Sequence, residues 1–84
     1  MNRYLVLTLR NPQFDPDMID PHYAFLDRLR EQGRLELAGP FGDGMGGAYL
    51  LHAGDIDEAT AMAHEDPLHR SGSSTVTVRE WAAK

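Results

Sequence analysis

The chain has 84 residues, no cysteine, and a formal net charge of −5 with both signs scattered along the sequence. This length predicts a single domain, residues 1–84, and because disulfides and thiolate metal sites are excluded, a second copy of the chain is the expected extra support for so small a core. The acidic balance argues against nucleic acid, no stretch is suited to crossing a membrane, and the lack of cysteine fits a cytoplasmic location.

The first predicted strand covers residues 3–9, because both of its alternating sets of side chains are apolar or β-forming. A loop follows it. Asp20 and Pro21 then predict the start of a helix, with Asp20 as the N-cap and Pro21 as the first helical residue. The helix should run to about Gln32 and end at Gly33 in the left-handed conformation.

A hairpin and a second helix are predicted next. Residues 34–38 alternate like an edge strand, the glycine-rich residues 39–47 indicate a loop, and residues 48–52 return as the other arm. Residues 55–58 resemble a capping box that opens the second helix. Pro67 should end this helix, because the residue before a proline is disfavoured in the α region.

Residues 75–81 form the last predicted strand and complete the order βαββαβ. This order predicts a ferredoxin-like α+β fold with an antiparallel sheet in the order 4-1-3-2 and both helices on one face. The other face would carry Tyr4 or Leu5, and Tyr49 or Leu50, which is too much apolar surface to leave in water. We therefore expect a homodimer in which two sheet faces pack together.

The same topology brings two polar side chains together at one end of the sheet. His22, in the first helix, shares a face with Leu26 and Leu29 and should point inward. Asp66 continues the apolar stripe of the second helix, and a buried carboxylate needs a partner. His22 and Asp66 are therefore expected to meet.

Such a pair suits general-base chemistry. The positive end of the helix dipole disfavours the imidazolium of His22, whereas a carboxylate fixes the tautomer of the ring and favours its charged form. Backbone N–H groups of the glycine-rich loop or of the helix start could stabilise an oxyanion or enolate. An inward His–Asp pair is about as often a structural hydrogen bond as a catalytic dyad, so both interpretations stay open.

The remaining histidines give weaker signals. His64 and His69 flank Asp66, but their spacing fits no zinc motif, and no metal site is predicted. His69 is expected in a loop that lines the pocket, and His52 is expected to face solvent or a subunit contact. The glycine-rich loop neither follows the first strand nor opens a helix, so nucleotide binding is not predicted.

These features together resemble the YciI-like (YCII-related) family of small bacterial proteins. The resemblance is carried by Pro21-His22 followed by Phe25-Leu26 and Leu29, by Gly33-Arg34-Leu35 leading to Ala38-Gly39-Pro40, and by Asp66-Pro67 with Gly72 before a V-x-V-x-x-W-like end. The strings from Gly33 to Pro40 and at Asp66-Pro67 are the more diagnostic parts.

This resemblance implies a dimeric α+β barrel with back-to-back sheets and an active-site dyad that carries over onto His22 and Asp66. Members are similar to muconolactone isomerases in fold, and one relative eliminates chloride from a chlorinated hydroxyhydroquinone. Asp20 is a departure, since many relatives carry an arginine there, and the substrate is expected to differ accordingly.

The leading hypothesis is an isomerase or a lyase of the dehydrochlorinase type that acts on a small cyclic or enolisable metabolite. His22 would be the general base and Asp66 would orient it or relay the proton. The residues expected to bind the substrate are Gly39, Pro40, Phe41 and His69. Proton abstraction needs no cofactor or metal, and none is predicted. The alternatives are a metabolite-binding or regulatory module without turnover, and a purely structural His–Asp pair.

Overall fold

Four strands, three α-helices and one 3₁₀ turn make up the chain in the computed structural model, which describes residues 1–84. In chain order they are β1 (Asn2–Arg10), the 3₁₀ turn (Pro16–Met18), α1 (Ile19–Glu31), β2 (Leu35–Pro40), β3 (Gly46–Ala53), α2 (Ile56–Ala63), α3 (Pro67–Arg70) and β4 (Ser74–Glu80). Apart from the short helix α3, this is the predicted βαββαβ order. No helix of the structure has the length and apolar character needed to cross a membrane.

The strands form one antiparallel sheet in the order β2-β3-β1-β4. β1 is a central strand that pairs with β3 on one side and with β4 on the other. The helices cover one face of this sheet and pack on it. The predicted ferredoxin-like α+β fold, with the order 4-1-3-2, is therefore confirmed.

The core lies between the sheet and the helices. β1 and β3 each send every second side chain toward the helices, as the period of a strand requires. The inward face predicted for α1 is confirmed, since Leu26 and Leu29 are buried. The core contains eleven buried residues, which are Tyr4, Val6, Phe25, Leu26, Leu29, Leu35, Tyr49, Leu51, Ala53, Ala59 and Ala63.

The other side of the sheet, which we call the open face, carries Leu5, Leu37, Leu50 and Trp81. Leu5 and Leu50 are paired across the two central strands, whereas the tyrosine that precedes each of them in the chain faces the helices. Leu37 remains 62% exposed and Trp81 47% exposed. These four side chains line a shallow, mostly apolar hollow. The sequence allowed Tyr4 or Leu5, and Tyr49 or Leu50, on this face, and the register of the sheet selects the two leucines.

The start of the first helix differs from the prediction. α1 begins at Ile19, and the 3₁₀ turn before it is capped by Asp15, whose carboxylate accepts a hydrogen bond from the N–H of Asp17 at 2.9 Å. The predicted N-cap at Asp20 is therefore wrong. The 3₁₀ turn leads directly into helical geometry, so Pro21 lies within the first turn, where its missing N–H breaks no intrahelical hydrogen bond. The helix ends as predicted, with Gly33 in the left-handed region at φ +72°.

The second helix begins as predicted but ends earlier. Asp55 accepts a hydrogen bond from the N–H of Glu58 at 2.8 Å, and the Glu58 carboxylate accepts one from the N–H of Gly54. α2 ends at Ala63 rather than at Pro67, because a proline ring clashes with the carbonyl four residues before it. Pro67 instead opens α3, a helix that the sequence analysis missed.

The hairpin loop is shorter than predicted. β2 continues to Pro40 and β3 begins at Gly46, so residues 39, 40, 46 and 47 belong to strands rather than to the loop. Gly39 pairs with Ala48, and Pro40 pairs with Gly47. A Cβ atom at Gly47 would lie 2.6 Å from the carbonyl oxygen of Gly39. Glycine therefore serves here to let two strands approach closely, and composition alone had suggested a flexible loop.

Candidate active site

Asp66 occupies the centre of the site and is fully buried. It lies between α2 and α3, with φ −59° and ψ 128°, as the proline after it requires. Its Oδ1 accepts a hydrogen bond from the N–H of Leu68 at 2.9 Å and so caps α3. Its Oδ2 accepts one from the hydroxyl of Tyr49 at 3.1 Å. The N–H of Leu68 and the hydroxyl of Tyr49 therefore hold this carboxylate in place independently of His22.

His22 completes the set of partners around this carboxylate. It lies in the first turn of α1, and its Nδ1 is 3.0 Å from Oδ1 and 2.9 Å from Oδ2 of Asp66. An ionised carboxylate only accepts hydrogen bonds, so Nδ1 carries the hydrogen and Nε2 has a free lone pair. The side chain of His22 is 14% exposed. The imidazole is thus held in one tautomer and is largely shielded from solvent.

The free nitrogen of His22 is accessible from a cavity. Nε2 has no hydrogen-bond partner within the protein, and the one buried side-chain polar atom left without a partner is elsewhere, in Ser74. His22 lines a cavity of about 100 Å³ at the end of the sheet. Nε2 is therefore free to meet a molecule that enters this cavity.

Tyr49 is a third member of the site that the sequence analysis did not single out. Burial, the nearby charge of Asp66 and the hydrogen bond to Asp66 all raise the pKa of the Tyr49 phenol far above its ordinary value, with burial as the largest cause. The phenol therefore stays protonated and remains a donor to the carboxylate. The run Tyr49-Leu50-Leu51 is apolar throughout, so the register of the sheet, and not alternation in β3, shows that Tyr49 shares the helix-facing side with Leu51.

Most of the cavity wall comes from three parts of the fold, with Phe14 and Leu68 of α3 completing it. α1 supplies one side, the paired ends of β2 and β3 supply another, and the ends of β1 and β4 supply a third. Representative lining residues from these parts are Tyr23, Leu26, Gly39, Gly47, Arg10 and Ser74. An engineered cavity of roughly 150 Å³ in another protein holds a benzene molecule. A single six-membered ring is therefore about the size of ligand that this cavity accommodates, with part of the ring lying at the cavity opening.

The structure places the residues expected to bind the substrate in two groups. Gly39 and Pro40 line the cavity together with His22. Phe41 and His69 do not line it. Phe41 lies just after β2, where its N–H donates to the carbonyl of Gly46 at 2.8 Å and closes the hairpin.

His69 lies in α3 rather than in a loop, and its ring stacks on that of His64 with the centroids 4.0 Å apart. His52 lies on the hairpin strand, and its Nε2 is 2.9 Å from the carboxylate of Glu36. No group of three or more His, Cys, Asp or Glu side chains is arranged to hold a metal ion.

The arrangement around His22 supports proton transfer. The carboxylate behind the ring favours the imidazolium that forms when Nε2 takes a proton, and the donors on the carboxylate keep it from rotating. No carboxylate and no second histidine lines the cavity, so no other side-chain base of these types competes for that proton.

Comparison with known proteins identifies the family and the fold of the chain. The YCII-related domain model matches residues 3–82. The chain is 46% identical over 84 residues to the uncharacterized protein YjpA of Bacillus subtilis (strain 168), covering 100% of this chain and 99% of that protein.

Among solved structures, the chain is similar to 5-chloro-2-hydroxyhydroquinone dehydrochlorinase (TftG) of Burkholderia phenoliruptrix AC1100, in complex with 2,5-dihydroxybenzoquinone. The TM-score is 0.78 at 21% identity, covering 98% of this chain and 95% of TftG. At this identity the likeness shows a common fold. With the domain match over residues 3–82 and the YjpA identity, it follows that the chain belongs to the YCII-related domain family.

Proposed function

We propose that this protein is an enzyme that abstracts a proton from a small cyclic or enolisable metabolite. One observation carries the proposal: the imidazole of His22 is held at Nδ1 by a buried carboxylate while Nε2 is accessible from a cavity. A histidine with a purely structural role has no need of an accessible second nitrogen.

The roles follow from the contacts. His22 Nε2 takes a proton from a carbon next to a carbonyl group, and the electron pair of that C–H bond moves to form the enolate. In an isomerisation, the imidazolium then returns the proton to another atom of the substrate. In an elimination, the enolate re-forms its carbonyl and its electron pair expels the leaving group with the bonding electrons, while the imidazolium releases its proton to water. Asp66 orients the ring and stabilises its positive charge, and Tyr49 and the N–H of Leu68 hold Asp66.

The relative of known structure supports elimination as one reaction to test. TftG is named as a dehydrochlorinase, and its structure contains 2,5-dihydroxybenzoquinone, a single oxygenated ring. A molecule of that size agrees with the cavity beside His22. The substrates proposed for this chain are therefore single-ring compounds with a carbonyl or hydroxyl group, with or without a halogen.

The test measures proton transfer directly. The protein is incubated in D₂O with 5-chloro-2-hydroxyhydroquinone and, separately, with unhalogenated cyclic diketones, while NMR follows deuterium uptake and an electrode follows chloride release. We expect conversion of at least one compound by the wild type. His22→Gln should lower the rate by about 100-fold or more, because it removes the base.

Asp66→Asn tests the second half of the dyad. An amide can donate to Nδ1, which moves the ring hydrogen to Nε2 and removes the lone pair that faces the cavity. We expect a loss of about 10³-fold to 10⁴-fold in rate with the fold retained, as shown by an unchanged circular dichroism spectrum. Binding of a ring compound without conversion by the wild type would instead support a metabolite-binding or regulatory module.

We also propose that the protein is a homodimer joined through the open face. The open face keeps Leu37 and Trp81 largely exposed, and Leu5 and Leu50 beside them make the hollow between them apolar. A domain of this length buries a modest share of its surface, so leaving an apolar patch exposed to water is unfavourable for it.

A further inference from the structure

The end of the sheet that lines the cavity carries two polar side chains with no role in the dyad. Arg10, the last residue of β1, pairs in register with Ser74, the first residue of β4. Residues directly opposite in an antiparallel ladder project from the same face of the sheet. Both residues line the same cavity as His22. The register therefore places a cation and a hydroxyl next to each other at one wall.

Ser74 lacks a hydrogen-bond partner. The residue is only 5% exposed, and its Oγ is the one buried side-chain N or O atom in the structure without a partner. Buried hydroxyl groups are nearly always hydrogen-bonded, because an unpaired one loses its contacts with water and gains nothing in return. Because Ser74 lines the cavity, a group bound there would be near enough to supply the missing partner after a small rotation of the Ser74 side chain.

Arg10 supplies the charge. Its guanidinium lies 4.1 Å from the centre of the Phe14 ring, which holds it at the cavity wall. It takes part in none of the five ion pairs of the structure. Asp66 is covered by its partners and does not line the cavity, so Arg10 is the one permanently charged side chain that does.

We propose that Arg10 and Ser74 form a subsite for an anionic oxygen, so that the ligands of this cavity are single-ring organic anions. The oxygen, from a carboxylate, phenolate or enolate, accepts hydrogen bonds from the guanidinium and from Ser74 Oγ while the ring occupies the space beside His22. Planar guanidinium groups suit oxyanions, and their hydrogen bonds are strong because the charge assists them. The inference rests on the proposed function in one respect, since it takes the cavity beside His22 as the place where the ligand binds.

The test uses two probes of equal shape, benzoate and its uncharged amide, benzamide. Binding to the wild type is followed by chemical shifts in ¹H–¹⁵N NMR spectra at millimolar concentrations. We expect benzoate to bind at least about tenfold more tightly than benzamide, with the largest shifts around residues 10, 22 and 74. Arg10→Gln should remove this preference. Arg28→Gln, which removes the same charge from an exposed position on α1, should leave it intact.

Ser74→Ala provides a second, independent variant. We expect it to weaken benzoate binding by about threefold to tenfold while leaving the melting temperature unchanged or raised, because the variant removes a buried polar group that has no partner. A lower melting temperature with unchanged binding would show that Ser74 has a structural role only.

The outcomes separate this inference from the proposed reaction. Equal binding of the two probes, no binding of either, or a preference that survives Arg10→Gln would overturn the subsite. A preference for benzoate that depends on Arg10, together with no conversion of any ring compound, would uphold the subsite and contradict the enzymatic proposal.

Discussion

The hydroxyl of Tyr49 supports the pair of His22 and Asp66 through its hydrogen bond to Asp66. It donates to the same carboxylate oxygen, Oδ2 of Asp66, that lies 2.9 Å from His22 Nδ1. A buried carboxylate needs several donors to offset its lost hydration. Tyr49 thereby stabilises the charge on which the orientation of His22 depends.

Tyr49→Phe should change stability in two ways. Near neutral pH the variant should lose about 1–3 kcal/mol of unfolding free energy, because Asp66 loses a donor. The raised pKa of the phenol gives a second, pH-dependent effect. Above about pH 10 the unfolded chain releases the proton of Tyr49 and the folded chain keeps it, so the stability of the wild type falls as pH rises.

The measurement is the urea unfolding free energy between pH 9 and 11. The wild type should lose roughly 1.4 kcal/mol per pH unit more than Tyr49→Phe at the alkaline end, the slope of one proton. Tyr23→Phe, at a phenol on the exposed side of α1, serves as the control. Parallel alkaline slopes for the wild type and Tyr49→Phe would contradict the buried, protonated phenol.

The contact between His22 and Asp66 could be predicted from strand topology and from the helical spacing around His22, and their catalytic roles stay a prediction. The placement of Asp66 on the apolar stripe of the second helix was wrong, because α2 ends at Ala63 and Asp66 instead caps α3. Tyr49, Arg10 and Ser74 could not be assigned in advance. Tyr49 required knowledge of which alternate set of β3 faces the helices, and the Arg10–Ser74 pair required the register between β1 and β4.

At the scale of elements, the hairpin between β2 and β3 depends on close backbone contact. Gly46 has φ +152°, and a Cβ atom there would lie 1.9 Å from the carbonyl oxygen of Thr8. The obstacle is backbone in the central strand β1, which cannot move without breaking its ladder. Both Gly46 and Thr8 line the cavity, so the fit of the hairpin also shapes the site.

Gly46→Ala should therefore be strongly destabilising. We expect a loss of roughly 3 kcal/mol or more, from the clash and from a backbone conformation that residues with a Cβ rarely adopt. Gly42→Ala is the matched control, since a Cβ atom at Gly42 meets nothing within 4 Å, and it should change stability by less than about 0.5 kcal/mol. The measurement is the urea unfolding midpoint of each variant. Similar midpoints for the two variants would refute the close contact between Gly46 and Thr8.

Local signals in the sequence identified the elements better than their ends. Asp55 as a cap and Gly33 as a left-handed stop were predictable, because each acts within a few residues of its own position: Asp55 through its carboxylate and Gly33 through its backbone conformation. The start of α1 was mispredicted because the 3₁₀ turn capped by Asp15 precedes it, and two competing Asp-Pro signals occur within seven residues. α3 was missed because its four residues are too few for periodicity to reveal.

At the scale of the whole molecule, the open face is an apolar surface that no other part of the chain covers. Its apolar hollow lies on the side of the sheet away from the helices. The order of the strands and the two-sided apolar character of β1 were enough to predict this surface. Which side chains lie at its centre was not predictable, because the choice of Leu5 and Leu50 over their tyrosine neighbours required the register between β1 and β3.

Leu37→Glu tests the proposed dimer. We expect the wild type to sediment at micromolar concentration with about twice the chain mass of 9.4 kDa. Leu37→Glu should shift it to the monomer, because a charge would have to be buried in the interface. Met45→Glu, at an exposed apolar residue in the hairpin loop, should remain dimeric.

Trp81 offers an internal probe for the same experiment, since it is the chain's one tryptophan and lies on the open face. Its fluorescence should shift to the red as the wild type is diluted through dissociation. A wild type that stays monomeric at micromolar concentration would refute the dimer.

The three-way contact at Asp66 has a consequence for how the site comes into being. His22 is 44 positions away from Asp66 along the chain, and Tyr49 is 17 positions away. Contacts between residues this distant in sequence require the intervening chain to close into loops. A partly ordered chain does not close these loops one after another. The imidazole therefore acquires its fixed tautomer only when α1, β3 and the turn before α3 have all docked. The reactivity proposed for Nε2 then depends on all three segments being in place.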